Sequence, residues 1–265
     1  MINILIPTDF SENSFIAVDF VYSNFDHSQL NVRIVHAISQ PVSTSGVMLR
    51  LDDLMRQDAE RDMALFLEKI EDIHSVKPES IIKYGHLKDV VDGISNLVLP
   101  DLLVMGTKGE NNIKSRIMGS VTEAIIRTSR TPVLAVPVDW FRDKIDRVTI
   151  ATDKSEIASS QFLRKILRAL KLTCPKLELL TVQKPNSTGK LPKSLSFEGF
   201  QFDVVGVENE VVVDGINDYL GNSNVGMLIL YHGHNSRFDY LFNRSVTKTI
   251  CANVEVPLLV IPSVR

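Results

Sequence analysis

Short apolar runs rich in β-branched residues alternate along this chain with amphipathic stretches, and the alternation predicts strands and helices in turn. Ile2–Thr8 is such a run, bounded by Asp9. Ser11 then stands before Phe15, Ile16, Val18 and Val21, which reads as a helix with an N-cap. Val32–Ile38 is a second strand. Leu51–Ile73 places Leu51, Leu54, Met55, Met63, Phe66, Leu67 and Ile70 among charges, the stripe of a long surface helix. Ile81–Tyr84, Leu102–Met105 and Val133–Val136 complete five strands, with helices over Val90–Leu99 and Val121–Thr128 between them. Strands that are apolar throughout and separated by helices belong to a parallel sheet covered on both faces.

The plan occurs twice. Ile6-Pro7-Thr8-Asp9-Phe10-Ser11 returns as Ile150-Ala151-Thr152-Asp153-Lys154-Ser155, at an offset of 144. Val90-Val91-Asp92-Gly93-Ile94 returns as Val212-Val213-Asp214-Gly215-Ile216, at an offset of 122. Ser120-Val121-Thr122 and Pro132–Pro137 return as Ser245-Val246-Thr247 and Pro257–Pro262, both at an offset of 125. Four matches in the same order mark an internal duplication. The join falls near Trp140-Phe141-Arg142-Asp143, which predicts domains over 1–142 and 143–265. The second copy is 19 positions shorter between its aspartate and its Ser-Val-Thr. Its deficit lies where the long helix should be, and the polar, turn-rich Asn186–Pro192 is expected to be a loop.

Composition narrows the class. The 265 residues carry 29 basic and 32 acidic side chains, a net charge of −3 that argues against a protein built to coat nucleic acid. A hydrophobic share of 44% is enough for buried cores, and no apolar run approaches the length of a membrane span. The chain opens on an apolar run with no basic segment before it, and Cys174 and Cys251 are too far apart to form a disulfide framework or metal cluster. A reduced, cytoplasmic protein with no membrane partner is the expectation.

The densest chemistry is Met105-Gly106-Thr107-Lys108-Gly109, followed after nine further residues by Gly119-Ser120. The first glycines follow a buried strand and the last pair opens a helix. Glycine lets backbone approach an anion without a Cβ in the way, and a helix N-terminus presents unpaired N–H groups to phosphate. Lys108, Lys114, Arg116, Arg127 and Arg130 outnumber Glu110 and Glu123 around it. Asp9 ends the first strand at the carboxyl edge of the sheet, where open α/β folds bind ligands and where a carboxylate can accept from ribose hydroxyls. Structural alternatives exist for each: turns for the glycines, a Ser120-x-x-Glu123 capping box, and a capping or approach-turn role for Asp9. Neither a Walker A sequence nor a Gly-x-Gly-x-x-Gly fingerprint is present.

Ile-Pro-Thr-Asp-Phe-Ser-Glu at the start, Val35-His36-Ala37 on the second strand, and Gly-x2-Gly-x9-Gly-Ser before Pro-Val-Leu-Ala-Val together resemble the universal stress protein family in its tandem form. The resemblance implies two Rossmann-like domains of the adenine nucleotide alpha hydrolase type, each an α/β unit with a five-stranded parallel sheet of order 3-2-1-4-5. It implies ATP as ligand, with Mg or Mn on the phosphates in some members. By that likeness Pro7 and Asp9 border the nucleoside, with Asp9 on ribose, Ala37 meets adenine through its backbone, and Met105 lines the base pocket. Gly106, Gly109, Gly119, Ser120 and Val121 hold the phosphates. It further implies an internal pseudo-dimer through Val133–Val136 and Leu258–Ile261, with a homodimer as a further arrangement.

The second copy departs from the motif. Tyr231 stands at Gly106, His234 at Gly109 and Arg244 at Gly119, so it is expected to lack ATP, with Asp153 kept as a structural residue. Phe238–Phe242 reads as packing that fills the vacated pocket, and His232-Gly233-His234 lacks a third metal ligand. No Ser–His–acid triad is legible, and His36 reads as a core or site-edge histidine. A nucleotide-dependent regulatory module, a slow ATP hydrolase and a nucleotide-free scaffold are the three functions compatible with these residues.

Overall fold

The computed structural model describes residues 1–39, 48–107, 118–140, 145–152, 161–171, 176–185, 191–197, 199–231 and 255–262. Strand β1 (Ile2–Thr8), helix α1 (Glu12–Asn24), β2 (Leu30–Ile38), α2 (Met48–His74), β3 (Glu79–Tyr84), α3 (Leu87–Val98), β4 (Leu102–Gly106), α4 (Ser120–Thr128) and β5 (Val133–Val136) make the first half. The second half comprises β6 (Arg147–Ala151), α5 (Gln161–Ala169), β7 (Lys176–Gln183), β8 (Ser194–Phe197), β9 (Phe200–Glu208), α6 (Val212–Asn222), β10 (Met227–Tyr231) and β11 (Leu258–Ile261). None of the described helices is long and apolar enough to cross a membrane.

The described strands join one 11-stranded sheet of order β3-β2-β1-β4-β5-β11-β10-β6-β7-β9-β8. Each half thus has the order 3-2-1-4-5. Alternation along β1 explains the layering: Ile2, Ile4 and Ile6 enter one core with Phe15, Phe20, Phe66 and Ile166, while Leu5 enters the other with Val91, Ile125 and Ile216. Helices α1, α2 and α5 therefore cover one face, and α3, α4 and α6 the other. Both cores run through both halves without a break.

The loop expected over Asn186–Pro192 lies mostly outside the described residues, and a strand follows it. Strand β8 lies antiparallel to β9, with Leu195 opposite Phe202, so the second half carries a sixth strand at its outer edge. Leu195 packs partly buried against the core that holds Phe202, and this contact favours extended chain over a free loop. Only sixteen residues separate β7 from β9, against forty between β2 and β3, which leaves no room for a counterpart of α2.

Among the described residues, backbone pairing joins the halves at two places. Strands β5 and β11 pair antiparallel, Val133 with Val260, Leu134 with Leu259, and Ala135 with Leu258. Leu134 and Leu259 are each other's counterparts in the duplication, so this ladder is centred on a residue and its own repeat. Phe25 and Leu170, each the residue after the first helix of its half, form a second antiparallel bridge. There Asp26 N–H donates to the Ala169 carbonyl (2.9 Å) and Lys171 N–H to that of Asn24 (2.7 Å). Because β5 and β11 run oppositely, the carboxyl ends of the two parallel sets point to opposite rims of the sheet.

Candidate functional site

The crevice of the first half originates in one residue of β1. Strand β1 pairs with β2 along its whole length, through Thr8 opposite His36. With β4 it pairs only at Ile4 opposite Leu102 and Leu5 opposite Leu103. In a parallel strand, successive residues direct their hydrogen-bonding groups to alternate neighbours. The Asn3 carbonyl accepts from Asp101 N–H on the β4 side (2.8 Å), so Leu5 and Pro7 face β4 as well. Pro7 has no N–H to give, and the ladder stops. Meanwhile β4 continues with β5 to Gly106 opposite Val136. The gap therefore opens between Pro7–Thr8 and Met105–Gly106, at the point where the strand order reverses.

The β1–α1 turn is tightly bonded. Ser11 caps α1, its hydroxyl accepting from Ser14 N–H (3.3 Å). Asp9, exposed, accepts from both Ser11 N–H (3.1 Å) and the Ser11 hydroxyl through Oδ1. The approach-turn role for Asp9 is thus real. Thr8 Oγ1 takes Phe10 N–H (2.9 Å) and lies 2.7 Å from Ser14 Oγ. Phe10 sits at φ 64°, a left-handed conformation that costs a residue of this type about 1–3 kcal/mol. Its ring stacks on His36 (centroids 4.2 Å apart) and meets Phe66 edge-on at 5.9 Å. His36 Nδ1 lies 2.9 Å from the Thr8 carbonyl, as a site-edge histidine does.

The other wall is the amino end of α4. Gly119, not Ser120, is the N-cap, and no side chain caps this helix; Glu123 N–H returns to the Gly119 carbonyl (3.0 Å). The Ser120–Glu123 capping box is therefore not formed. The helix is instead moored by backbone: Gly119 N–H donates to the Thr107 carbonyl (2.7 Å), Thr107 N–H to that of Val136 (2.9 Å), and Thr122 Oγ1 to that of Gly106 (3.0 Å). Ser120 and Val121 lie exposed at its first turn. An uncapped first turn retains donors suited to an anion. Gly119 has φ −61° and ψ 143°, which any residue adopts, so a side chain there would act by occupying space.

The structure thus gathers Pro7, Asp9, Ala37 at the end of β2, Met105, Gly106, Gly119, Ser120 and Val121 at one rim. Met105 is buried and Ala37 partly so. Gly109, Lys108, Lys114 and Arg116 lie outside the described residues, as do Cys174, Cys251, Asp153, His232, His234, Phe238–Phe242, Arg244 and Ser245. Thr107, Thr122, Phe10 and Ser14, which shape the rim, were not among the sequence candidates. A Thr-Asp-Phe-Ser turn with a serine three residues on was the legible signal for two of them. Among the described residues no group of three or more His, Cys, Asp or Glu side chains could hold a metal.

The backbone donors of the first turn of α4, the Asp9 carboxylate and the carboxyl ends of β2 and β4 thus share one rim. Residues 1–137 match the model of the universal stress protein family. Universal stress protein MJ0577 of Methanocaldococcus jannaschii is 27% identical over 151 residues, covering 50% of this chain and 93% of its own. A universal stress protein from Archaeoglobus fulgidus shares the fold over 98% of both chains, with a TM-score of 0.70 at 20% identity. A functionally unknown protein from Pseudomonas aeruginosa does so over 98% of this chain and 92% of its own, with a TM-score of 0.58 at 10% identity.

Proposed function

The chain belongs to the universal stress protein family, and on that premise we propose that it binds ATP in its first half alone and acts as a nucleotide-dependent regulatory module. The observation that carries this reading is the crevice between β1 and β4, ended by the uncapped first turn of α4. Asp9 would hold the ribose hydroxyls, Ala37 would meet the base by its backbone, and Met105 would line the base pocket. Gly106, Gly109, Gly119, Ser120 and Val121 would receive the phosphates. Bound ATP, with Mg or Mn on its phosphates, supplies a removable polyanion whose presence is read as a change in stability and surface.

Two domains, 1–142 with the intact motif and 143–265 without it, are the units of this reading. The ladder between β5 and β11, centred on Leu134 and Leu259, supports an internal pseudo-dimer of the two, working in the cytoplasm. Mass spectrometry of the natively purified protein is the direct test, with one adenine nucleotide per chain expected. Added ATP at a hundred times its Kd should stabilise the fold by about 2.7 kcal/mol. Gly119→Trp should abolish that gain while leaving the ligand-free melting point within a few degrees. Absence of both co-purified nucleotide and thermal stabilisation in the natural sequence would overturn the proposal.

A further inference from the structure

The smaller of the two backbone joints between the halves is surrounded by groups that take up and release protons. Phe25 and Leu170 are equivalent residues, but the ones that follow are opposite in charge: Asp26 in the first half, Lys171 in the second. Lys171 Nζ reaches the Tyr22 carbonyl (3.2 Å), and His27 Nε2 contacts the same oxygen. A carbonyl only accepts, so His27 carries a proton on Nε2, and donors from both halves converge on one atom. The Tyr22 ring lies between two imidazoles, edge-on to His27 with centroids 5.4 Å apart and tilted against His74 at 5.2 Å. His74 ends α2 with its side chain only 9% exposed. Its Nε2 stands 3.1 Å from Asp19 Oδ1 but is not aligned as a hydrogen bond.

Among the described residues, the charged or titratable groups that face His74 are Asp19 and Tyr22 from α1, His27 from the turn His27–Gln29, and Lys171 from the segment after α5. Glu71 and Lys77 flank it in the chain and pair with each other at 3.5 Å. Ser28 and Gln29 hold the Asp26 carboxyl below its ordinary range, with a small contribution from Lys171. Burial pushes the Tyr22 hydroxyl up to about 12, so this ring stays neutral. At His74 burial is the largest influence; with His27 and Lys171 it outweighs Asp19 and lowers the imidazole below its usual value. A histidine so depressed contributes stability above its unfolded value, and the contribution is lost as pH falls through the folded one. The other joint differs in kind: the β5–β11 ladder pairs buried apolar residues with nothing to titrate.

We propose that the Phe25–Leu170 joint is an acid-sensitive latch: protonation of His74, beside His27 and the cationic Lys171, drives Lys171 off the Tyr22 carbonyl and parts the bridge, while the β5–β11 ladder stays closed. The halves then remain joined through the sheet but lose their clasp at the ends of α1 and α5.

Hydrogen exchange of the full chain tests this at the bridge amides of Asp26 and Lys171. It is followed between about pH 8 and about pH 5, where imidazole titrates, with the intrinsic pH dependence of exchange divided out. Protection of both amides should fall by about tenfold or more on acidification, while the β11 amides keep theirs. His74→Gln cannot take up a proton and should hold the bridge closed across the range. Lys171→Met, at an exposed position, removes the repelled charge but keeps the backbone bond and should do the same. Asp19→Asn removes the anion that favours protonation, so the loss should move to lower pH; a merely structural Asp19 would instead lower protection at every pH. Constant protection in the natural sequence would overturn the proposal. So would a loss undiminished in both His74→Gln and Lys171→Met, or a β11 that opens in step with the bridge.

Discussion

Two strands in equivalent places behave differently because of one residue. In the first half β1 carries Pro7, and its pairing with β4 ends at Leu5. In the second half the counterpart of Pro7 is Ala151, and β6 pairs with β10 over four positions, from Val148 opposite Met227 to Ala151 opposite Leu230. Thr152 N–H donates to the Leu180 carbonyl on the β7 side (3.1 Å), so the N–H of Ala151 faces β10. The β1–β4 ladder ends two positions earlier than the β6–β10 ladder. The difference teaches that pairing at the switch point of an open α/β sheet is cut short or extended by the strand itself, whatever the glycine loop carries.

Exchanging the two residues is the sharpest way to break the comparison. Ala151→Pro should remove a ladder hydrogen bond in a central strand and cost about 3 kcal/mol or more in chemical denaturation. Pro7→Ala restores an N–H toward β4; it should leave stability unchanged or raised and weaken ATP binding several-fold in a thermal-shift titration. Unaltered ATP affinity in Pro7→Ala would show that the gap does not depend on the missing N–H.

A smaller contrast lies on the second strand of each half. Arg33, which pairs with Leu5, meets the exposed Glu79 at 2.7 Å. Glu178, which pairs with Thr149, has a side chain only 1% exposed. It accepts from Tyr219 Oη and Thr149 Oγ1 (3.2 Å), with Lys176 Nζ at 2.9 Å and Arg147 at 3.8 Å. Burial pushes its carboxyl up, but Tyr219, Lys176 and Arg147 outweigh burial and hold it below the ordinary carboxylate range. Glu178→Ala should cost about 2–3 kcal/mol by leaving those groups without their acceptor, whereas Arg33→Ala should cost under about 1 kcal/mol. A depressed folded-state pKa stabilises above the unfolded value. The difference between wild type and Glu178→Ala should therefore be full at neutral pH and shrink as pH falls below the ordinary carboxylate range.

The smallest effect concerns the paired glycines of α3 and α6. A Cβ on Gly93 meets nothing within 4 Å, while one on Gly215 would stand 2.7 Å from Val182 Cγ1 and 3.1 Å from Asn209 Cβ. Gly93→Ala should stabilise by about 0.5–1 kcal/mol through helix propensity. Gly215→Ala should destabilise by about 1 kcal/mol, crowding offsetting the same gain. Matching signs in thermal melts would show that the halves pack these helices alike.

Much of this architecture was legible because periodicity reports burial. The five strands of the first half, the long amphipathic helix and Ser11 as a cap all follow from residue spacing, with helix α2 extending from Met48 to His74 where Leu51–Ile73 was expected; the strand order 3-2-1-4-5 follows from the family resemblance. Strand β8 was hidden because Ser194-Leu195-Ser196 offers one apolar residue among polar ones, and its partner β9 supplies the rest of the reason for extension. Ser120 looked like a cap because the capping box is a local spelling, whereas the helix begins where Gly119 is tied to Thr107. Glu178 carried a signal that went unread: a carboxylate between Leu177 and Leu179 in a strand must find partners. The Pro7–Ala151 difference stood in the repeat alignment from the start. Its meaning needed the direction of the ladder.

The joint of β5 and β11 has an evolutionary corollary. Its register sets Leu134 against Leu259, and Phe25 meets Leu170 in the same reciprocal manner. In an assembly of two identical chains every mutation enters twice, so a change tolerable on one side must be tolerable on both. Fusion lifts that constraint. A single gene can carry proline at position 7 and alanine at position 151, each set without regard to the other.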